Sequence, residues 1–137
     1  MKEIIEYRDD EFKATITVVS ATVLTGIKHD MAINEMFTKL GQTNADMQPD
    51  EMAERVAKIT VWPACYCASQ EINIEHKSGK KVAWKPYKLN DETFMQLPEQ
   101  LTNEWLKLVF KLNPHWNPNE LPDEEEEEKK APKPSSG

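Results

Sequence analysis

The pattern of apolar and polar residues predicts a β-hairpin followed by helices. Residues 12–19 alternate apolar and polar side chains and are rich in β-branched types, which is typical of a strand with one buried face. The run from Glu3 to Tyr7 is its expected partner, joined through the polar segment 8–11. From Thr22 the apolar spacing lengthens to three and four residues, which predicts an amphipathic helix that ends at Gly41. Its apolar positions are Val23, Leu24, Ile27, Met31, Met36, Phe37 and Leu40.

A second helix is expected to begin at Pro49, because proline and the acids that follow it are favoured in a first helical turn. Pro63 should kink or interrupt this helix near Trp62, since its ring removes a backbone donor and crowds the carbonyl four residues earlier. The predicted apolar positions are Met52, Val56, Ile59, Ala64, Tyr66 and Cys67.

A second short hairpin is predicted after this helix. Ile72 and Ile74 alternate with polar residues, Ser78–Gly79 can form a turn, and residues 82–84 can form the returning strand. Five lysines occur in the same region, and because apolar residues alternate with them we interpret them as a solvated hairpin face rather than as a binding patch. They are Lys77, Lys80, Lys81, Lys85 and Lys88.

The most regular helical stripe comes last. It is bounded by Pro98 at its start and by Asn113-Pro114 at its end, with Trp116 just beyond. Such a stripe usually belongs to a core, although an exposed end of this helix would form an adhesive surface. Its apolar positions are Phe94, Leu97, Leu101, Trp105, Leu108, Val109 and Leu112.

The chain has the length of one domain, with 137 residues, 24 acids, 17 basic residues and a net charge of -7. Residues 123–137 contain six of the acids and one apolar residue, so they cannot offset the entropy of ordering and are expected to be disordered. Residues 1–122 are the expected domain. We predict an α+β fold that is mainly α-helical: an N-terminal hairpin, a small helical domain with a second short hairpin, and a disordered acidic C-terminal tail.

Several classes of function are disfavoured. The acidic balance and the two arginines, Arg8 and Arg55, argue against nucleic-acid binding. No apolar run approaches a membrane span and the first residues lack the order of a signal peptide, so we expect a cytosolic protein without membrane contact. Cys65 and Cys67 are interpreted as reduced core thiols. Since no phosphate loop, nucleophile elbow or zinc-binding histidine pair occurs, we expect neither catalysis nor a cofactor or metal.

Three short motifs follow one another along the chain. In residues 20–30, an Ala-Thr-Val step after a strand is followed by glycine and the pair Lys28 and His29. Residues 59–65 contain an aromatic-Pro step within a helix, and residues 94–116 combine a Leu-Pro helix start, a tryptophan in the helix and an Asn-Pro-x-Trp end. This order resembles the tail assembly chaperones of long-tailed, siphovirus-like bacteriophages.

The resemblance implies a non-catalytic protein that binds the long, largely helical tape measure protein, keeps it soluble and brings it together with tail tube subunits. Such a chaperone acts in the host cell cytoplasm and is not expected in the mature virion. The candidate residues for contact with the partner are Trp105, Leu108, Leu112, His115, Trp116, Lys28 and His29. Adaptable contacts are expected from the methionines Met31, Met36, Met47, Met52 and Met95.

The acidic tail adds to this expectation. Many such chaperones are made in two lengths by a ribosomal frameshift, and Lys129-Lys130 can be encoded by AAA-AAG, a slippery sequence. The tail would then be the flexible linker to a second domain that contacts the tail tube protein. Self-association remains open at this stage. The alternatives are an acidic DNA mimic or host-takeover protein, whose binding would be salt-sensitive, and a minor structural protein of the virion.

Overall fold

The computed structural model describes residues 1–41, 46–79 and 81–118. The expectations for the acidic tail, for Lys129-Lys130 and for Lys80 fall outside these residues. The described part is an α+β fold, as predicted, with an antiparallel sheet in the order β1-β2-β3-β4. The strands are β1 (Lys2–Arg8), β2 (Phe12–Val19), β3 (Ser69–His76) and β4 (Lys85–Pro86). The helices are α1 (Val23–Leu40), α2 (Pro49–Val56), α3 (Trp62–Cys67), α4 (Asp91–Phe94) and α5 (Glu99–Leu112).

The N-terminal hairpin is confirmed. β1 and β2 pair along their whole length, with Ile5 opposite Ile16. The polar connection closes through Asp9, whose carboxylate accepts hydrogen bonds from the backbone N–H groups of Glu11 at 2.8 Å and Phe12 at 2.7 Å. A short side chain that accepts from nearby backbone donors is the usual way an aspartate stabilises a turn.

The two predicted hairpins join into one sheet, because β3 pairs with the second edge of β2. The return strand differs from the prediction: β4 is Lys85–Pro86, and residues 82–84 are not a strand. Pro86 limits this strand, since it cannot donate a hydrogen bond to the ladder. Trp84 instead lies against Arg8 of β1, Lys13 of β2 and Lys77, which follows β3.

One face of the sheet is buried against α3 and α5, and Phe94 of α4 belongs to the same core. This explains why the inward side chains of the central strand β2 are nearly inaccessible to solvent, while Ile4, Glu6, Thr15 and Asn73 on the opposite face are exposed. The core consists of Ile5, Ala14, Ile16, Val18, Ala64, Cys65, Ala68, Ile74, Phe94, Leu97, Leu101, Trp105 and Val109.

The interruption expected at Pro63 takes the form of a π-helical turn, Ala57–Val61, between α2 and α3. The backbone N–H of Trp62 donates to the carbonyl of Ala57, five residues earlier. Pro63 then occupies the first turn of α3, where a missing N–H breaks no hydrogen bond within the helix.

The π turn changes which side chains of this segment are buried. Met52, Val56 and Tyr66, predicted as apolar positions of the helix, are exposed, and Lys58 is buried. Because a π turn is wider than an α turn, the side chains after α2 point in other directions than they would in a continuous α-helix. The apolar stripe predicted from constant helical spacing therefore does not continue along one face. The Lys58 ammonium pairs with Glu54 at 2.9 Å and Glu92 at 3.0 Å. Burial by itself would lower the pKa of Lys58, but the hydrogen bonds that its ammonium donates to these two carboxylates outweigh burial and raise that pKa.

Candidate partner-binding surface

Trp105, a predicted contact residue, lies in the core. Its side chain has no exposed surface, and its ring meets Phe94 edge-on with ring centroids 5.6 Å apart. Its indole N–H donates to the Ser69 hydroxyl at 2.9 Å, which satisfies the one polar group of the side chain. Including Trp105 in the partner surface is therefore wrong for this folded state, because a partner cannot reach the side chain.

Leu108 and Leu112 follow Trp105 along α5. Both are partly buried and pack against the core. The stripe of α5 is thus mainly the inner face of the helix that covers the sheet, and its apolar spacing is explained by the core alone. Of the predicted contact residues in this part of the chain, His115 is exposed and Trp116 is half-buried.

The structure brings together two pairs of candidate residues that lie far apart in the sequence. Trp116, in the 3-10 turn Pro114–Trp116, stacks on His29 of α1 with ring centroids 3.9 Å apart and planes 8° apart. His29 is buried beneath this contact, whereas Lys28 and His115 are exposed around it. The stack holds the end of the chain's last described turn against α1, so Trp116 contributes to the fold as well as to the surface.

Asn113, predicted from the sequence only as part of a helix end, connects three elements. Its side chain is fully buried. The amide nitrogen donates to the carbonyls of Val19 at 3.0 Å and Val109 at 3.2 Å, and the amide oxygen accepts from the N–H of Ala21 at 2.7 Å. These bonds hold the end of β2 and the approach to α1 against the end of α5. The Asn-Pro step could have suggested this role, but the partners Val19 and Ala21 are 94 and 92 residues away in the sequence.

Burial lowers the pKa of His29, and the neighbouring His115 acts in the same direction, while Asp30 at 3.9 Å opposes the shift. The folded state therefore binds a proton at this site less readily than the unfolded chain, whose histidine pKa is about 6.5. The stabilisation from neutral His29 is complete above that pH and is lost as the pH falls through the lower pKa of the folded state.

We expect the free energy of unfolding to fall between pH 7.5 and 5.5 more steeply in the wild type than in His29→Phe, which keeps an aromatic ring against Trp116 and has no titratable group. Urea unfolding at several pH values measures this difference. Equal pH dependence in the two proteins would show that His29 does not titrate with folding.

The largest exposed apolar feature of a described helix lies on α1. Val23, Leu24, Ile27 and Met31 recur at three- and four-residue spacing and therefore share a face, and they are 82, 61, 52 and 64% exposed. We call these four side chains the α1 face. The helix was predicted correctly, but most of its apolar stripe points to solvent. Its buried residues are His29 and Met36.

The methionines proposed as adaptable contacts fall into different environments. Met31 and Met52 are exposed, Met36 is buried, and Met47 and Met95 are partly buried. Met31 alone among them belongs to the α1 face. Phe37 is also exposed, further along the same helix.

A groove of about 490 Å³ is lined by residues of α1, α3 and β3, among them Lys28, Tyr66 and Cys67. Both cysteines are free, and Cys65 is buried while Cys67 is partly buried. Burial raises the pKa of each thiol, and Lys28 only partly opposes the shift at Cys67. A raised pKa reduces the thiolate fraction, which is the nucleophilic and metal-binding form.

Three cationic side chains surround Trp84, and one of them, Lys77, belongs to the lysine-rich segment after β3. The Lys77 and Lys13 ammonium groups lie 4.7 and 5.0 Å from the centre of the Trp84 ring, and the Arg8 guanidinium lies 5.5 Å away. Cations at these distances are attracted by the aromatic ring. Lys13 also pairs with Glu75 at 3.2 Å, so these side chains join the ends of three strands.

In the residues that the structure describes, no group of three or more His, Cys, Asp or Glu side chains could hold a metal ion. No helix in the same part of the chain is both long enough and apolar enough to cross a bilayer. No protein-family model, curated protein or solved structure was found to match the chain.

Proposed function

We propose that the chain is a non-catalytic tail assembly chaperone of a long-tailed bacteriophage. In this role it binds and solubilises the tape measure protein and helps to recruit tail tube subunits, the latter through a longer, frameshifted form. It acts in the host cell cytoplasm and leaves the assembly before the virion is complete.

The α1 face carries this proposal. Three of its four side chains lie in the segment, residues 20–30, that provides the first motif of the resemblance, and all four are largely exposed. Monomeric soluble proteins rarely expose large contiguous apolar patches, and such patches usually mark interaction sites. The proposal therefore moves the main contact from α5, whose stripe packs against the core, to α1.

The chemistry of the α1 face suits a helical partner. Val23, Ile27 and Met31 follow one another every four residues along the helix. A second amphipathic helix can pack its own apolar stripe along such a row. A flexible methionine at one end lets the surface adapt to changing side chains along a long partner. Lys28 and His115, exposed near one side of this helix, can contact acidic groups of the same partner.

The test is co-expression with the tape measure protein of the same phage, with the soluble fraction of that protein as the measurement. We expect wild-type chain to raise that fraction and the double variant Leu24→Asp and Ile27→Asp to lose most of the effect, since charges on the α1 face would have to be desolvated on binding. Because both side chains are exposed in the free protein, the variant should retain the melting temperature of the wild type.

The control is Asn34→Asp, which adds one negative charge, half of the charge that the double variant adds, at an exposed position further along α1. It should support solubility as well as the wild type does. Full activity of the α1 double variant would contradict the proposal. Salt-sensitive binding to a nucleic-acid enzyme would favour the DNA-mimic alternative, and recovery of the chain in purified virions would favour the structural one.

A further inference from the structure

The outer edge of β1 has unpaired backbone groups. The N–H of Ser20 donates to the carbonyl of Met1 and the N–H of Asp9 donates to the carbonyl of Phe12, so the odd-numbered residues of this hairpin strand point their backbone groups toward β2. Backbone groups alternate in direction along an antiparallel strand. The N–H and C=O groups of Lys2, Ile4 and Glu6 therefore point away from the sheet, and none has a backbone partner among the described residues.

The side chains along this edge do little to prevent pairing. Ile4 lies at the middle of the strand and is 60% exposed. Edge strands are usually protected by a proline, a bulge or a charge that repels a second strand. β1 has no proline and pairs with β2 in unbroken register, and the charges on either side of Ile4 are of opposite sign.

Among the registers that pair most of β1 with a second copy, these charges favour one. A two-fold axis through Ile4 places Ile4 opposite its counterpart, and places each Lys2 opposite the Glu6 of the other copy. Three of the four outward-pointing residues of β1, Lys2, Ile4 and Glu6, then form hydrogen-bonded pairs with the other copy, and these pairs contribute both backbone bonds and favourable cross-strand contacts. An axis through Ile5 would place Lys2 opposite Arg8, and an axis through Glu6 would place two glutamates together.

We propose that β1 is the interface of a homodimer, in which two copies pair antiparallel about Ile4 and form one continuous sheet. β1 and the α1 face belong to different parts of the fold. The proposed dimer therefore does not depend on the proposed function. The dimer leaves the α1 face of each copy free, so it would present two such faces in one assembly.

Sedimentation equilibrium of the full chain tests the proposal. We expect the wild type to associate toward twice its 15.8 kDa mass at concentrations up to ~100 µM. Lys2→Glu and Glu6→Lys should each weaken the dimer by about tenfold or more, because each creates two like-charged cross-strand pairs. Both side chains are exposed, so circular dichroism should show each variant folded.

Mixing supplies the decisive measurement. When Lys2→Glu and Glu6→Lys are mixed, each cross-strand contact between positions 2 and 6 joins a glutamate to a lysine. One of the two contacts has the wild-type charges and the other has them reversed. A heterodimer as stable as the wild-type dimer should therefore form. The double variant Leu24→Asp and Ile27→Asp should remain dimeric. A wild type that stays monomeric, a dimer that the charge variants leave unchanged, or single variants that do not associate on mixing would each overturn the proposal.

Cross-linking tests the register independently. In a hydrogen-bonded antiparallel pair, opposite Cα atoms are about 5.5 Å apart, which is within the range of a disulfide. In a Cys67→Ser background, Ile4→Cys should therefore form a disulfide-linked dimer on mild oxidation. Glu6→Cys should not, because the two Glu6 positions lie about 13 Å apart along the paired strands. Equal cross-linking of the two variants would contradict the register.

Discussion

Trp105→Ala is expected to lower the free energy of unfolding by about 3 to 5 kcal/mol, the usual cost of removing a buried tryptophan. The side chain has no exposed surface, and it fills the space between α5, Phe94 and Ser69. Its loss leaves a cavity in the centre of the core that the surrounding sheet cannot easily close. Urea unfolding followed by circular dichroism measures the change, and the melting temperature should fall by more than ~10 °C.

Two control variants are compared with Trp105→Ala: one separates the lost side-chain volume from the lost hydrogen bond, and the other changes an exposed residue. Trp105→Phe retains much of the ring but loses the donor to Ser69, so its loss of stability should be intermediate. His115→Ala alters an exposed side chain and should leave the melting temperature nearly unchanged. If Trp105→Ala unfolded at the wild-type urea concentration and only lost partner binding, Trp105 would belong to the binding surface and its burial in this fold would be refuted.

Asn113→Ala is expected to cost about 2 to 4 kcal/mol, although it removes few atoms. The variant leaves the carbonyl of Val19 and the N–H of Ala21 without their bonds to this amide, and an unsatisfied buried polar group costs about 1 to 3 kcal/mol. These groups connect β2 to α1, so amide hydrogen exchange in the first turns of α1 should accelerate as well.

Asn103→Ala is the control, because Asn103 is an exposed asparagine within α5, the helix that ends just before Asn113, and alanine has the higher helix propensity. We expect its stability to equal or slightly exceed that of the wild type. Asn113→Asp keeps an acceptor for Ala21 but loses the donor to Val19 and places a charge in the core, so it should be no more stable than Asn113→Ala. Similar stabilities for Asn113→Ala and the wild type would show that the three bonds to Asn113 are replaced by water.

The sequence by itself determined the elements that depend on local patterns. Alternating β-branched residues specified β2, the polar segment 8–11 specified the turn before it, and glycine or proline set the ends of α1 and α5. These signals act within a few residues through side-chain direction and backbone restriction, so they can be recognised in a single chain.

The tertiary structure decided which apolar positions are buried and which side chains meet. The stripe of α5 and the stripe of α1 look alike in sequence, yet the first covers the sheet and the α1 face remains exposed. Likewise, the stack of His29 on Trp116 and the bonds of Asn113 join residues about 90 positions apart. Periodicity identifies an amphipathic helix but contains no information about the partner of its apolar face, because that depends on how distant elements pack.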